Sequence, residues 1–275
     1  MLGTDVQAAA LAAGDEVVAL SRADLDITDV AAVREAVTDS RPEVIVNGAA
    51  YTKVDAAESD PDAAAAVNAT GAGNLAEAAA AAGAWLVHVS TDYVFDGSKT
   101  TGPYVESDPT NPRSIYGSTK LLGERAIQIA APDSHTIVRS SWLFGNHGPC
   151  FPATMLRLAK ERDTLSVVSD QRGCPTFTPE LAQALLTVAR ERVLGTLHVA
   201  GGGECSWFEF ASEILSRAGA NTRVHPITTA EYPTPAQRPA YSVLRSERGD
   251  EVPVLRDWHE GLDDYLQAIP TEVSG

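Results

Sequence analysis

The sequence predicts an α/β protein in which a doubly wound parallel sheet carries a smaller C-terminal lobe. Two observations predict it. Short apolar runs rich in β-branched residues, such as Val44-Ile45-Val46, alternate with long alanine-rich stretches suited to helices. The alternation runs strand, helix, strand through most of the chain, the order produced by right-handed crossovers between parallel strands.

Taken in order, Met1-Leu2-Gly3-Thr4-Asp5-Val6 opens a helical pattern that Gly14 is placed to end. A strand is expected over 16–20, a helix over 29–37, a strand over 44–47 and a helical stretch over 68–82. The run 84–90, preceded by Gly83, reads as a buried strand ending in Ser90-Thr91-Asp92-Tyr93-Val94-Phe95. In open α/β sheets ligands bind beyond the carboxyl ends of the strands, so these hydroxyls emerge where a small molecule would sit. A helix carrying Tyr116 and Lys120 follows, then a strand over 136–139, a helix over 179–191 and a strand over 195–200. Beyond Gly201 glycines and prolines become denser, and helices over 206–217 and 258–269 suggest the smaller lobe.

The chain has 275 residues, 44% of them hydrophobic, enough to bury a large core. Acidic residues outnumber basic ones 37 to 21, a net charge of −16, which removes the electrostatic footprint of a nucleic-acid binder. The three cysteines, Cys150, Cys174 and Cys205, are widely spaced and lack any C-x-x-C arrangement, which argues against a disulfide framework or a structural zinc site and fits a reducing cytoplasm. No apolar stretch is long enough to span a bilayer and no charged-then-apolar signal segment opens the chain, so no membrane partner is expected. The six histidines show no ligand spacing, and no catalytic metal is assigned.

The chemistry-bearing motif is Tyr116-Gly117-Ser118-Thr119-Lys120. Tyr-x-x-x-Lys sets a phenol and an ammonium one helical turn apart on one face, and an ammonium beside a phenol lowers its pKa from about 10 toward the range a general acid needs. Combined with a hydroxyl residue at the end of a strand 25 residues upstream, Thr91, the pattern is the Ser/Thr-Tyr-Lys arrangement of short-chain dehydrogenases. From Val44 onward the chain resembles the dTDP-4-dehydrorhamnose reductase family, nucleotide-sugar reductases among the extended short-chain dehydrogenases with a Rossmann-like sheet. The segments that carry the resemblance are Val44 to Asp55, Ser-Thr-Asp-Tyr-Val-Phe at 90–95, Tyr-Gly-Ser-Thr-Lys at 116–120, Arg-Ser-Ser-Trp at 139–142, Met-Leu-Arg-Leu-Ala at 155–159 and Tyr-Pro-Thr-Pro-Ala-Gln-Arg-Pro at 232–239.

The resemblance implies hydride transfer to the 4-keto carbon of dTDP-4-dehydro-L-rhamnose, with Tyr116 protonating the oxygen, Thr91 polarising the carbonyl, and Lys120 holding the cofactor ribose and keeping the phenol acidic. The implied cofactor is NADPH or NADH. Ser21 and Arg22, standing where an NAD-selective protein places a carboxylate, favour NADPH. By resemblance Asp26 and Ile27 border the adenine, and Ala49 and Ala50 allow close approach of the backbone to the cofactor. Leu2 and Gly3 look like the end of a glycine-rich fingerprint whose strand and first glycines are missing. One expectation is therefore that Met1 is an internal or misassigned start, with roughly ten further residues upstream, enough for a strand and its turn; the other is a genuine start and a modified fold. Thr52, Val54, Tyr93 and Trp142 match positions that line the sugar and nucleotide pocket, and Arg238 matches a guanidinium directed at a diphosphate. The expected plan is a dinucleotide-binding domain over 1–145 to which 175–200 return, with 146–174 and 201–275 forming the substrate lobe. A homodimer and a structural divalent ion are family possibilities, the ion's ligands not being identifiable here. A non-catalytic alternative resembles the regulatory subunit of methionine adenosyltransferase, and another nucleotide-sugar ketoreductase or epimerase is a third reading.

Overall fold

In the computed structural model, which describes residues 1–269, four parallel strands form the central sheet. β1 (Val44–Asn47), β2 (Trp85–Thr91), β3 (His135–Ser140) and β4 (Gly195–His198) lie in that spatial order. The register sets Asn47 beside His88 and Thr91 beside Ser140, so the polar residues at the carboxyl ends of the strands share one edge.

Helices cover both faces, as near-continuous apolar strands require. On one face, α3 (Ala72–Ala82) presents Ala72, Ala76 and Ala79 to Leu86, Ile137 and Ile127, the last belonging to α4 (Ile115–Ala130). On the other, α5 (Thr178–Arg190) places Leu181, Leu185 and Val188 against Val87, Val138 and Leu197. The opening helix α1 (Leu2–Ala12) packs Ala9 and Ala10 on Ala182 and Leu186 of α5. Gly14 stands just past its end with φ 85°, as a left-handed C-terminal residue should.

The strand expected over 16–20 does not form. These residues make no ladder, and Val18 and Leu20 stand exposed at 61% and 50%. Apolar character makes a strand only when a neighbour supplies hydrogen bonds. Among the described residues β1 is paired with β2 alone.

Between Pro61 and α3 the backbone passes through a π-helical turn, Ala66–Gly71. This widened turn sits against α4. A Cβ on Gly123 would lie 2.1 Å from the Asn68 carbonyl oxygen, so only glycine permits the contact.

The second lobe gathers around aromatic residues. Phe144, Phe177, Phe210, Trp258 and Tyr265 form its buried centre, and two parallel strands, Thr164–Val168 and Arg223–Ile227, pack beside the helix Trp207–Arg217. That helix starts with a reciprocal capping box between Ser206 and Glu209. Residues 178–198 supply α5 and β4 to the main sheet. The end of the expected substrate lobe, 270–275, lies outside the described residues.

Candidate active site

Thr91 ends β2 and Tyr116 opens α4, and a close backbone contact brings them together. Ser114 caps α4 by accepting from the Gly117 N–H at 3.1 Å. A Cβ on Gly117 would meet the Tyr93 carbonyl oxygen at 2.2 Å, so the helix sits directly on the turn that follows Thr91. The Thr91 hydroxyl is thereby set at the same end of the sheet as the Tyr116 phenol, where it acts to draw the phenol's pKa down. It also donates to Asp92 Oδ1 at 3.0 Å and accepts from the Tyr93 N–H at 3.2 Å. Tyr93 packs edge-on against Tyr116, with ring centroids 5.5 Å apart.

The electrostatics differ from the sequence-based expectation. Tyr116 is not drawn below 10: burial pushes its phenol up to about 12, the Thr91 hydroxyl opposing and the charge of Asp92 assisting. Among the described residues Lys120 makes no hydrogen bond to Tyr116. Its Nζ lies 3.1 Å from His88 Nε2 and donates to the Val89 carbonyl at 2.6 Å. Burial brings the Lys120 amine down to about 8, with Glu124 opposing. His88 is itself held well below the usual histidine range, first by burial and then by Lys120.

Beneath this site Glu124, one turn beyond Lys120, accepts from Ser90 at 2.5 Å and from Arg139 at both carboxylate oxygens. Asp92 is buried, and desolvation pushes its carboxyl up to about 6 against the hydrogen bonds it accepts. Asp92 Oδ2 and Ser140 Oγ have no hydrogen-bond partner among the described residues, although both stand at the sheet edge where a polar ligand would bind.

Ala49 and Ala50 follow β1 on a shelf that begins at Gly48, where an added Cβ would meet open space. Leu2 packs into the apolar contacts beneath α1, and Gly3 is an exposed helical residue of α1. Ser21 is exposed, but its N–H and hydroxyl both donate to Asp24, at 2.9 and 2.6 Å. A carboxylate therefore stands beside the position where the linear reading finds none. Arg22 is exposed, and the Asp26 carboxylate is held below the usual range first by its two hydrogen bonds from Thr28 and, more weakly, by the charge of Arg22. Ile27, expected at the adenine border, has its side chain buried with Val33, Val37 and Leu75, because α2 (Val30–Ser40) packs over it. Its main-chain carbonyl is taken as well, accepting from Asn74 at 2.9 Å.

Of the expected substrate residues, Thr52 is exposed and Val54 half-buried at the start of the short helix Val54–Ala57. Trp142 adopts φ 48°, a left-handed conformation costly for a bulky residue, and stacks on Trp207 with centroids 3.5 Å apart. Arg238 is not free. Asp55 grips it through both carboxylate oxygens, at 3.0 and 2.8 Å, and pulls the 234–238 loop toward the helix Val54–Ala57. That loop lines a cavity of about 370 Å³ with Asp170 and Thr229, which reaches neither Thr91 nor Tyr116.

Three functional candidates are absent from the sequence reading: His88, Asn47 and Asn68. In the sequence His88 is one polar residue in an apolar run, yet it contacts Lys120 directly. Asn68, in the π-helical turn, clamps the main chain of Tyr51 from both sides and donates to Thr119 at 3.1 Å. An asparagine isolated among alanines is the only available signal.

The profile of the family described as RmlD substrate binding domain matches residues 1–270. A dTDP-4-dehydrorhamnose reductase from Streptomyces griseus is 44% identical over 277 residues, covering 98% of this chain and 91% of the relative. The crystal structure of a dTDP-4-dehydrorhamnose reductase from Clostridium acetobutylicum superposes with a TM-score of 0.94 at 43% identity, covering 97% of this chain and 95% of that one. The Bacillus anthracis dTDP-4-dehydrorhamnose reductase, solved in complex with NADP, gives a TM-score of 0.93 at 39% identity with the same coverage.

Proposed function

Since the chain belongs to the RmlD substrate binding domain family, we propose that it reduces the 4-keto group of dTDP-4-dehydro-L-rhamnose to give dTDP-L-rhamnose, with Tyr116 as the general acid. The observation that carries this reading is the convergence of Thr91, Tyr116 and Lys120 at the carboxyl edge of a parallel sheet.

The shelf at Ala49 and Ala50, the orphaned polar atoms of Asp92 and Ser140, and the buried Lys120 fit a nicotinamide dinucleotide, which when bound supplies the hydride. Thr91 turns its hydroxyl from Asp92 to the substrate carbonyl and polarises it. Tyr116 then gives its phenolic proton to the oxygen of that carbonyl, so one hydride and one proton convert ketone to alcohol. A phenol with a pKa near 12 is a weak acid at neutral pH. The ammonium of Lys120 must therefore be brought to bear on it, which is the role assigned to that residue.

NADPH is the preferred cofactor of this reading, supported by the exposed Arg22 and by the NADP of the Bacillus anthracis relative. Asp24, bonded to Ser21, narrows the preference so that NADH is also used. The protein acts in the cytoplasm, in keeping with three free cysteines, and as a homodimer that sedimentation would reveal.

The test is oxidation of NADPH and NADH with dTDP-4-dehydro-L-rhamnose, with product analysis. Tyr116→Phe should lower turnover by about 10²-fold or more while leaving dinucleotide binding intact. Near-normal turnover in that variant would remove the acid role, and no oxidation by a folded protein would remove the reductase reading.

A further inference from the structure

Asn47, His88 and Lys120 form a single buried line beneath Tyr116. Asn47 ends β1, His88 is its register partner on β2, and Lys120 reaches them from α4; all three are at most 4% exposed. The Ala49 N–H donates to Asn47 Oδ1 at 3.0 Å. Asn47 Nδ2 lies 2.9 Å from His88 Nδ1, His88 Nε2 lies 3.1 Å from Lys120 Nζ, and Nζ donates to the Val89 carbonyl at 2.6 Å.

Donors and acceptors along this line are not interchangeable. A main-chain N–H can only donate, so the end of the Asn47 amide facing Ala49 is the oxygen and the end facing His88 is the NH₂. His88 Nδ1 must then accept, which puts the ring proton of the neutral imidazole on Nε2. An Nε2–H needs an acceptor at Lys120. An ammonium has none, whereas a neutral amine has one lone pair and still donates to Val89. Every contact is thus satisfied when Lys120 is an amine. With Lys120 as an ammonium, Nε2 accepts and Nδ1–H confronts the Asn47 NH₂, unless the amide turns over and leaves Ala49 without a partner.

From this geometry we propose that His88, oriented by Asn47, is a positioning residue that biases Lys120 toward its neutral amine in the free protein. The inference rests on the reading above, in which the charge state of Lys120 serves Tyr116. Burial acts in the same direction. The groups facing Lys120 that act otherwise are limited. On its own helix are the uncharged phenol of Tyr116 and the Glu124 carboxylate, the latter already bound by Arg139 of β3 and Ser90 of β2. Asp92 stands beyond Thr91. The line also joins the amine to the Ala49 N–H on the proposed cofactor shelf, so a change at one end is felt at the other.

The test reads the histidine ring directly. With the full chain labelled with ¹⁵N-histidine, long-range ¹H–¹⁵N correlations distinguish a proton-bearing ring nitrogen from a bare one, and the His88 signal is identified by its loss in His88→Gln. The proposal expects a bare Nδ1 and a protonated Nε2 at pH 9, giving way to the opposite tautomer as Lys120 takes up its proton on acidification. A His88 that carries its proton on Nδ1 from pH 6 to pH 10 overturns the proposal, and this outcome is independent of any enzymatic activity.

A second arm uses Asn47→Asp. Its carboxylate accepts from Ala49 and from His88 Nδ1–H together, leaving Nε2 to accept from the ammonium. The alkaline limb of kcat/KM should then move up by at least one pH unit, and the shift should vanish in Asn47→Asp/His88→Leu, which keeps the charge but breaks the line. An equal shift in both variants would show a through-space charge effect and overturn the relay. If the parent protein itself turns over no substrate while the tautomer behaves as expected, the function has failed and the positioning relation stands.

Discussion

Arg139 and Glu124 form a bidentate ion pair inside the protein, with Nε to Oε1 at 3.0 Å and Nη2 to Oε2 at 2.7 Å, both side chains no more than 6% exposed. The pair joins β3 to the middle of α4, and Ser90 of β2 adds a third hydrogen bond to the carboxylate. It thereby fixes the helix that carries Tyr116 and Lys120 against the strand that ends in Thr91.

Truncating one partner strands the other charge without water. Glu124→Ala should therefore cost about 3–5 kcal/mol of unfolding free energy, while a paired replacement by apolar residues of similar size, Glu124→Leu/Arg139→Met, should recover most of the loss. Urea unfolding of the three proteins checks this. A loss below about 1 kcal/mol in Glu124→Ala would mean that the pair does not anchor α4.

The proposed catalytic set is legible in the sequence because its signals are local. Tyr116 and Lys120 are one turn apart on a helix, and Thr91 ends an apolar run. What the sequence conceals depends on partners far along the chain. The residues at 16–20 have the apolar character of a strand, but that character does not supply the neighbour that makes a ladder. The motif position of Ile27 points to a ligand, while its side-chain direction is set by the packing of α2, Leu75 and Gly71. Helical spacing pairs Lys120 with the phenol one turn away, and the structure gives it to His88, 32 residues distant. Burial, which raises Tyr116 and lowers Lys120, is a property of the finished fold and has no signature in a five-residue motif.

Asp92 makes the site costly to fold at neutral pH. Its carboxyl is raised from 3.8 to about 6 by burial. Below about pH 4 both folded and unfolded chains hold the proton and there is no penalty. Between the two values the unfolded chain ionises while the folded one does not, so stability falls as pH rises, and above about pH 6 the penalty is complete. Asp92→Asn keeps an acceptor for Thr91 and removes the charge. It should stabilise the protein by up to about 3 kcal/mol at pH 7 and by almost nothing at pH 4. Denaturant midpoints of both proteins at the two pH values check this; equal differences at both would refute a titrating Asp92.

Lys120 gives the mirror-image dependence. Its folded-state value, about 8, lies below the 10.5 of an unperturbed lysine because of burial. Below about pH 8 both states are charged and the full desolvation cost is carried. From pH 8 to 10.5 the unfolded chain holds more protons, so stability rises with pH, and the cost disappears above that window. Lys120→Met should consequently be more stable than the parent at pH 7, by up to about 3 kcal/mol, with the advantage shrinking toward pH 10.5. A pH series of thermal unfolding for the pair decides it, and an advantage that stays constant across the window would assign the gain to packing instead.

Two glycines in helices separate close approach from open space. Gly123 faces the π-helical turn, where an added Cβ would stand 2.1 Å from the Asn68 carbonyl oxygen, a backbone atom that cannot swing aside. Gly123→Ala must push α4 away from Asn68, and should cost about 1–3 kcal/mol. Because α4 also carries Tyr116, the displacement should lower turnover more than it alters dinucleotide affinity. Gly3 lies in α1, where an added Cβ would have nothing within 4 Å, so Gly3→Ala should be neutral or stabilising by up to about 1 kcal/mol, through lower chain entropy in the unfolded state and better helix propensity. If Gly3 nevertheless borders the dinucleotide, the same methyl should weaken NADPH binding without loss of stability. Thermal unfolding combined with NADPH titration of both variants tests the contrast: destabilisation by Gly3→Ala, or its absence in Gly123→Ala, would contradict the packing described for these helices.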